Sequence, residues 1–168
     1  MKSSTPIRAR LVQTSQLRSA VCDGLGALAK DHRAHIAEEL RPQFMDSLDI
    51  DANLRGAHAA EPRWDYLVGH KRHGIIALES HGAAEKEIQS VIAKRHAALI
   101  QLRSHLRPGT RIVAWFWARS SGSGFKDTGR ATRQAAQAGI TFIGKELSPK
   151  HLDVLAPQPA ALKQKSAP

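Results

Sequence analysis

Residues 63–81 read RWDYLVGHKRHGIIALESH: two short apolar runs joined by a cationic turn, with one acid in each run, Asp65 and Glu79. Short apolar runs around such a turn predict a β-hairpin, and its register decides which side chains can meet. With a five-residue HKRHG turn, Gly69 faces Ile75, Val68 faces Ile76, and Asp65 falls directly opposite Glu79. Side chains alternate along a strand, so Asp65, Leu67, Ala77, Glu79 and His81 then share one face. Tyr66, Val68, Ile76 and Leu78 share the other. A four-residue turn would send the two acids to opposite faces. Facing carboxylates repel one another unless a cation lies between them. Two acids, completed by water and phosphate oxygens, suit the oxygen-rich shell of Mg²⁺. The five-residue turn therefore predicts an Mg²⁺ site at Asp65 and Glu79.

The rest of the chain predicts helices and strands around this hairpin. Leu17, Val21, Leu25, Leu28, His32, Ile36 and Leu40 recur every three or four positions. That spacing predicts one bent helix or two over residues 17–44, weakened by Gly24 and Gly26 and ending near Pro42. His32 is expected as a packed core histidine and Cys22 as a small buried residue. Residues 45–62 read as an acidic loop. A further helix is expected over 83–106, with the stripe Ile88, Val91, Ile92, Leu99, Leu102 and Leu106 and a stop at Pro108-Gly109. RIVAWFWAR, residues 111–119, is apolar on both faces and predicts a central strand. SSGSG at 120–124 reads as a loop, Asp127 or Thr128 as the cap of a short helix, and ITFIGKEL as a last strand reached by a parallel crossover. The expected fold is an α/β (α+β) domain over residues 1–148, a mixed sheet of about four strands flanked by helices. A Pro/Ala-rich tail, expected to be flexible, occupies 149–168.

Charge narrows the partners. The chain carries a net +10, and residues 61–150 hold 15 Lys and Arg against 7 Asp and Glu. A cationic excess on the folded core favours a polyanion, most often nucleic acid, over a membrane; solubility alone is the other reading. No apolar run approaches the roughly 20 residues of a membrane-spanning helix. A single cysteine cannot form an intramolecular disulfide, which fits a reducing, cytoplasmic setting. SSGSGFKD lacks the Gly-Lys-Ser/Thr ending of a phosphate-binding loop, and the nine histidines lack a zinc-site frame. Of the three tryptophans, Trp64, beside Asp65, is the better candidate to stack a base, and Trp115 and Trp117 are expected in the core.

On Asp65 and the Glu79-Ser80-His81 triplet the chain resembles the PD-(D/E)xK nuclease superfamily, over roughly residues 30–147. That family sets an acid on one strand and Glu-x-Lys or Asp-x-Lys on the next, in a core of helix, hairpin, helix and further strand. The resemblance implies a restriction-endonuclease-like core and Mg²⁺-dependent hydrolysis of phosphodiester bonds in DNA or RNA. Asp65 and Glu79 would hold the metal, and His81 would position or deprotonate the attacking water. Lys71, Arg72, Lys94 and Arg95 would contact backbone phosphates. Glu38 or Glu39 would match the auxiliary acid some members carry. Two departures stand out: Pro62 lies three residues before Asp65, and His81 replaces the family lysine. An inactive nucleic-acid-binding module and a protein-binding adaptor or inhibitor on the same fold are the alternatives.

Overall fold

The computed structural model describes residues 4–120 and 128–157. Six strands lie side by side in chain order: β1 (Cys22–Asp23), β2 (Phe44–Asp49), β3 (Tyr66–His70), β4 (Gly74–His81), β5 (Ile112–Arg119) and β6 (Thr141–Gly144). The first four form an antiparallel meander. β4, β5 and β6 then run parallel, joined through α4 (Ile88–Gln101) and α5 (Thr128–Gln137). Both sheet faces are covered. α4, α5 and α1 (Pro6–Arg10) pack against Leu67, Ile75, Ala77, Trp115 and Trp117 on one side. Turns around Leu28, Ile36 and Leu40, with α6 (Pro149–Asp153), cover Tyr66, Val68, Ile76, Leu78 and Phe116 on the other. The expected mixed sheet flanked by helices is present, with six strands instead of about four. No helix among the described residues is long and apolar enough to cross a membrane.

The hairpin register is the expected one: Gly69 pairs with Ile75, Val68 with Ile76 and Tyr66 with Leu78. β5, expected as a central strand, is apolar on both faces but lies fifth of the six, flanked by β6 only from Phe116 onward; α5 is closed by Gly139, whose φ of 78° suits a glycine. Residues 121–127, with the expected Asp127 cap, and 158–168 lie outside the described residues. The tail expected from residue 149 begins as α6, whose Leu152 is buried.

Two expectations fail. No long helix forms over 17–44: short 3₁₀ turns, β1, and α2 (Lys30–Arg33) carry those apolar residues. Turns advancing three residues reproduce helical spacing, and Gly24, at φ 55°, reverses the chain between them. Cys22 consequently sits half-buried on β1. The expected loop at 45–62 instead opens with β2 and continues as α3 (Ile50–Leu54). β2 was hidden because two of its four buried residues, Asp46 and Ser47, are polar. Asp46 is fully buried and accepts the backbone N–H groups of Ile7 (3.0 Å) and Arg8 (3.1 Å), closing the start of α1. Ser47 accepts the N–H of Ala27 at 3.0 Å.

The β3–β4 turn rests on a neutral imidazole. His70, 1 % exposed, accepts the N–H groups of Arg72 (3.1 Å) and His73 (3.3 Å) at Nδ1, and its Nε2 donates to Gln43 Oε1 at 3.1 Å. Burial, then the charges of His73, Lys71 and Arg72, push its pKa down to about 4. A folded pKa below the ordinary 6.5 means that the unfolded chain takes up the proton first. The stability His70 contributes is therefore lost as pH falls from 6.5 toward 4. An NMR titration should show its ring signals unmoved until about pH 4; a midpoint near 6.5 would remove this role.

Candidate functional site

Asp65 enters β3 and Glu79 nears the end of β4, so both stand where the parallel strands end, the edge at which open α/β sheets hold ligands. Backbone donors fix the two carboxyl groups reciprocally. The N–H of Asp65 donates to Glu79 Oε2 at 2.9 Å, and the N–H of Ser80 donates to Asp65 Oδ2 at 2.9 Å. The two remaining oxygens turn toward one ammonium. Lys94, reaching across from α4, donates to Glu79 Oε1 and lies 3.9 Å from Asp65 Oδ1. His81 stands beside them: Nε2 donates to Glu87 Oε2 at 2.9 Å, and Nδ1 lies 3.7 Å from Glu79 Oε1.

Glu79 has no solvent exposure, against 16 % for the Asp65 side chain and 19 % for Lys94, so the cluster opens to solvent on the Asp65–Lys94 side. Burial and then the neighbouring Asp65 charge push the Glu79 pKa up to about 8, while Lys94 pulls it back. Burial also raises the Asp65 pKa against the pull of Lys94. Burial thus favours the neutral form of both acids, and the Lys94 ammonium is the charge that opposes it.

On the opposite face of the same edge, His35 donates from Nδ1 to the carbonyl of Lys145 and accepts at Nε2 from the Ser80 hydroxyl, both at 2.8 Å. His32 shares a 2.8 Å hydrogen bond with the Tyr66 hydroxyl, half-buried and polar where a packed core residue was expected. A cleft of about 710 Å³ adjoins them, with Arg119 and Lys145 in its lining and the acids Asp31 and Glu146 among its other walls. Arg119 pairs in register with His81.

Of the residues named from sequence, the fold brings Asp65, Glu79, His81 and Lys94 together. It does not bring the others. Lys71 and Arg72 sit at the hairpin turn, roughly 20 Å of strand from Asp65. Arg95 places its guanidinium 5.1 Å over the Trp115 ring and packs against Gly139. Glu38 and Glu39 are exposed in a 3₁₀ turn. Trp64 is fully buried, edge-on to Trp115 at 5.0 Å, a contact of about 1 kcal/mol, and cannot stack a base. Lys94 had a legible signal: it falls between Val91 and Ala98 on the buried stripe of α4, where a lysine needs a partner. Arg119 and Lys145 had none, since only the fold carries β5 and β6 to this edge. Among the described residues no group of three or more His, Cys, Asp or Glu is placed to hold a metal ion. Set against protein-family models, curated proteins and solved structures, the chain matches none.

Proposed function

We propose that this chain is a metal-dependent phosphodiester hydrolase of the PD-(D/E)xK kind, acting on nucleic acid. One observation carries the reading: two acids each spend one oxygen on a backbone N–H and turn the other toward Lys94 at the ligand-binding edge of the sheet. Stability alone does not ask for this, because a buried ionic cluster is often replaceable by apolar side chains at no loss. From the hairpin onward the chain order is compatible with the resemblance, with Asp65 before β3, Glu79 on β4, then α4 and the parallel strand β5, whereas the long helix expected ahead of it does not form.

The donor chemistry fits Mg²⁺, a hard cation that takes one or two carboxylates and fills its shell with water and substrate oxygens. Asp65 and Glu79 would hold it through the oxygens now facing Lys94. Once bound, the ion would polarise the phosphate and lower the pKa of water. Lys94 supplies the positive charge that the family places two residues after the second acid, here arriving from α4 in place of His81. Its ammonium donates to a phosphate oxygen as negative charge builds there. His81, tied to Glu87, positions Glu79. Arg119 and Lys145 meet the phosphates on either side.

Purified protein incubated with plasmid, single-stranded DNA and RNA should cleave in Mg²⁺ or Mn²⁺ and not in chelator. Asp65→Ala and Glu79→Ala should each reduce cleavage by roughly 10²–10³-fold. Cleavage that survives both changes rejects this site. Salt-sensitive binding with no cleavage would leave a binding module on the same fold.

A further inference from the structure

The other end of the sheet holds a second surface. β6 pairs with β5 only from Phe116 onward, so among the described residues the edge of β5 from Ile112 to Trp115 has no neighbouring strand. An open edge offers a row of backbone N–H and C=O groups to any extended chain. This edge is flanked by two grooves. One, of about 430 Å³, lies against Arg95 and Leu99, and the other, of about 500 Å³, against Val154 and Leu155. Gly139 lines both grooves, so they meet where β6 begins. Leu99, Ile100 and Val154 are 41 %, 55 % and 83 % exposed, apolar surface beside an unused edge.

Charge selects the occupant. Residues 88–126 contain seven Lys and Arg and no Asp or Glu. Arg103, Arg107 and Arg111 are exposed beside the edge, as is Lys150 on the α6 side. Lys71 and Arg72 stand at the same end of the sheet. A duplex or single strand of nucleic acid would use those cations but not the backbone row or the apolar grooves.

We infer that this edge of β5 docks an extended acidic peptide segment of a protein partner, which adds as a strand in line with β6. Its backbone pairs with Ile112–Trp115, alternate apolar side chains enter the two grooves, and its acids meet the arginine rim. Four residues of strand span about 13 Å, matching the open stretch.

The test uses the full-length chain and a synthetic probe, acetyl-Glu-Val-Thr-Ile-Glu-Val-Asp-amide, with NMR-resolved hydrogen exchange. The expected result is saturable binding, slowed exchange at amides of 112–115, and weakening of about tenfold in Arg111→Glu. A probe N-methylated at alternate residues keeps every charge and should lose binding. Equal binding of the methylated probe would make the contact merely electrostatic and overturn the proposal. So would no binding. Amides at 112–115 already protected in dilute protein alone would make the chain its own occupant. Protection that grows with protein concentration alone would make it a second copy. Either result overturns the proposal.

Discussion

An alanine at position 69 is expected to cost about 3–5 kcal/mol of folding stability, a fall in Tm of roughly 10–15 °C. The reason is a lack of room, not of flexibility. Gly69 pairs with Asp46 across β2 and β3, and a Cβ on it would lie 1.9 Å from Asp46 Oδ1 and 3.0 Å from Pro6. The carboxylate crosses the bare backbone to reach the N–H groups of Ile7 and Arg8. A methyl group there must push it off, leaving a buried charge and two backbone donors without partners. Denaturant melts of Gly69→Ala beside Gly82→Ala make the comparison, since a Cβ at Gly82 meets nothing nearer than 3.8 Å. Equal stability of the two variants would show that Asp46 does not depend on this gap.

The same pair of residues explains what could and could not be read from the sequence. The hairpin was legible because two apolar runs around a tight turn admit few registers, and the register alone put Asp65 opposite Glu79. β5 was legible because only a strand covered on both faces uses Ile, Val, Trp and Phe without alternation. β2 was not, because Asp46 and Ser47 spend buried positions on closing the start of α1 and a neighbouring turn, so its pattern resembles a loop. Residues 17–44 misled for the opposite reason, with the right spacing and no helix. 3₁₀ turns also bury every third or fourth residue, and periodicity cannot tell the two apart. At the site, the sequence supplied the acids and their meeting. It named Lys94 but not its pairing with the two acids, because a contact between β4 and α4 over fifteen residues depends on how far the helix returns along the strand. Exposure of Trp64 was likewise undecidable from its neighbours; the loop before β3 turns it inward against Trp115.

Lys94→Met should separate the work of the acids from that of the lysine. In the native chain Glu79 has a folded pKa near 8, above the ordinary 4.5, with burial the largest cause and Lys94 opposing it. A raised acid pKa contributes stability that is fully present below 4.5 and lost as pH rises through 8. Removing the ammonium removes what opposes that rise, so the loss deepens on the alkaline side. At pH 5.5 both proteins keep the Glu79 proton, and their Tm values should lie close together. At pH 9 the variant must either hold a buried carboxylate beside Asp65 with no cation or keep the proton at a cost, a deficit of about 1 kcal/mol for the one pH unit above 8. Adding Glu79→Gln to the variant should flatten this pH dependence. Mg²⁺ then gives the decisive contrast. On the proposed reading the ion would compete with the ammonium for the two oxygens that Lys94 faces, so Mg²⁺ should raise the Tm of Lys94→Met more than that of the native chain. On the same reading cleavage should fall in this variant, because the charge proposed to meet the phosphate is gone. A deficit unchanged between pH 5.5 and 9 would mean that Lys94 does not neutralise the acids. An Mg²⁺ response no larger than the native one would mean that those oxygens are not where the ion binds, and the cluster would then be a pin between α4 and β4 with the hydrolase reading lost.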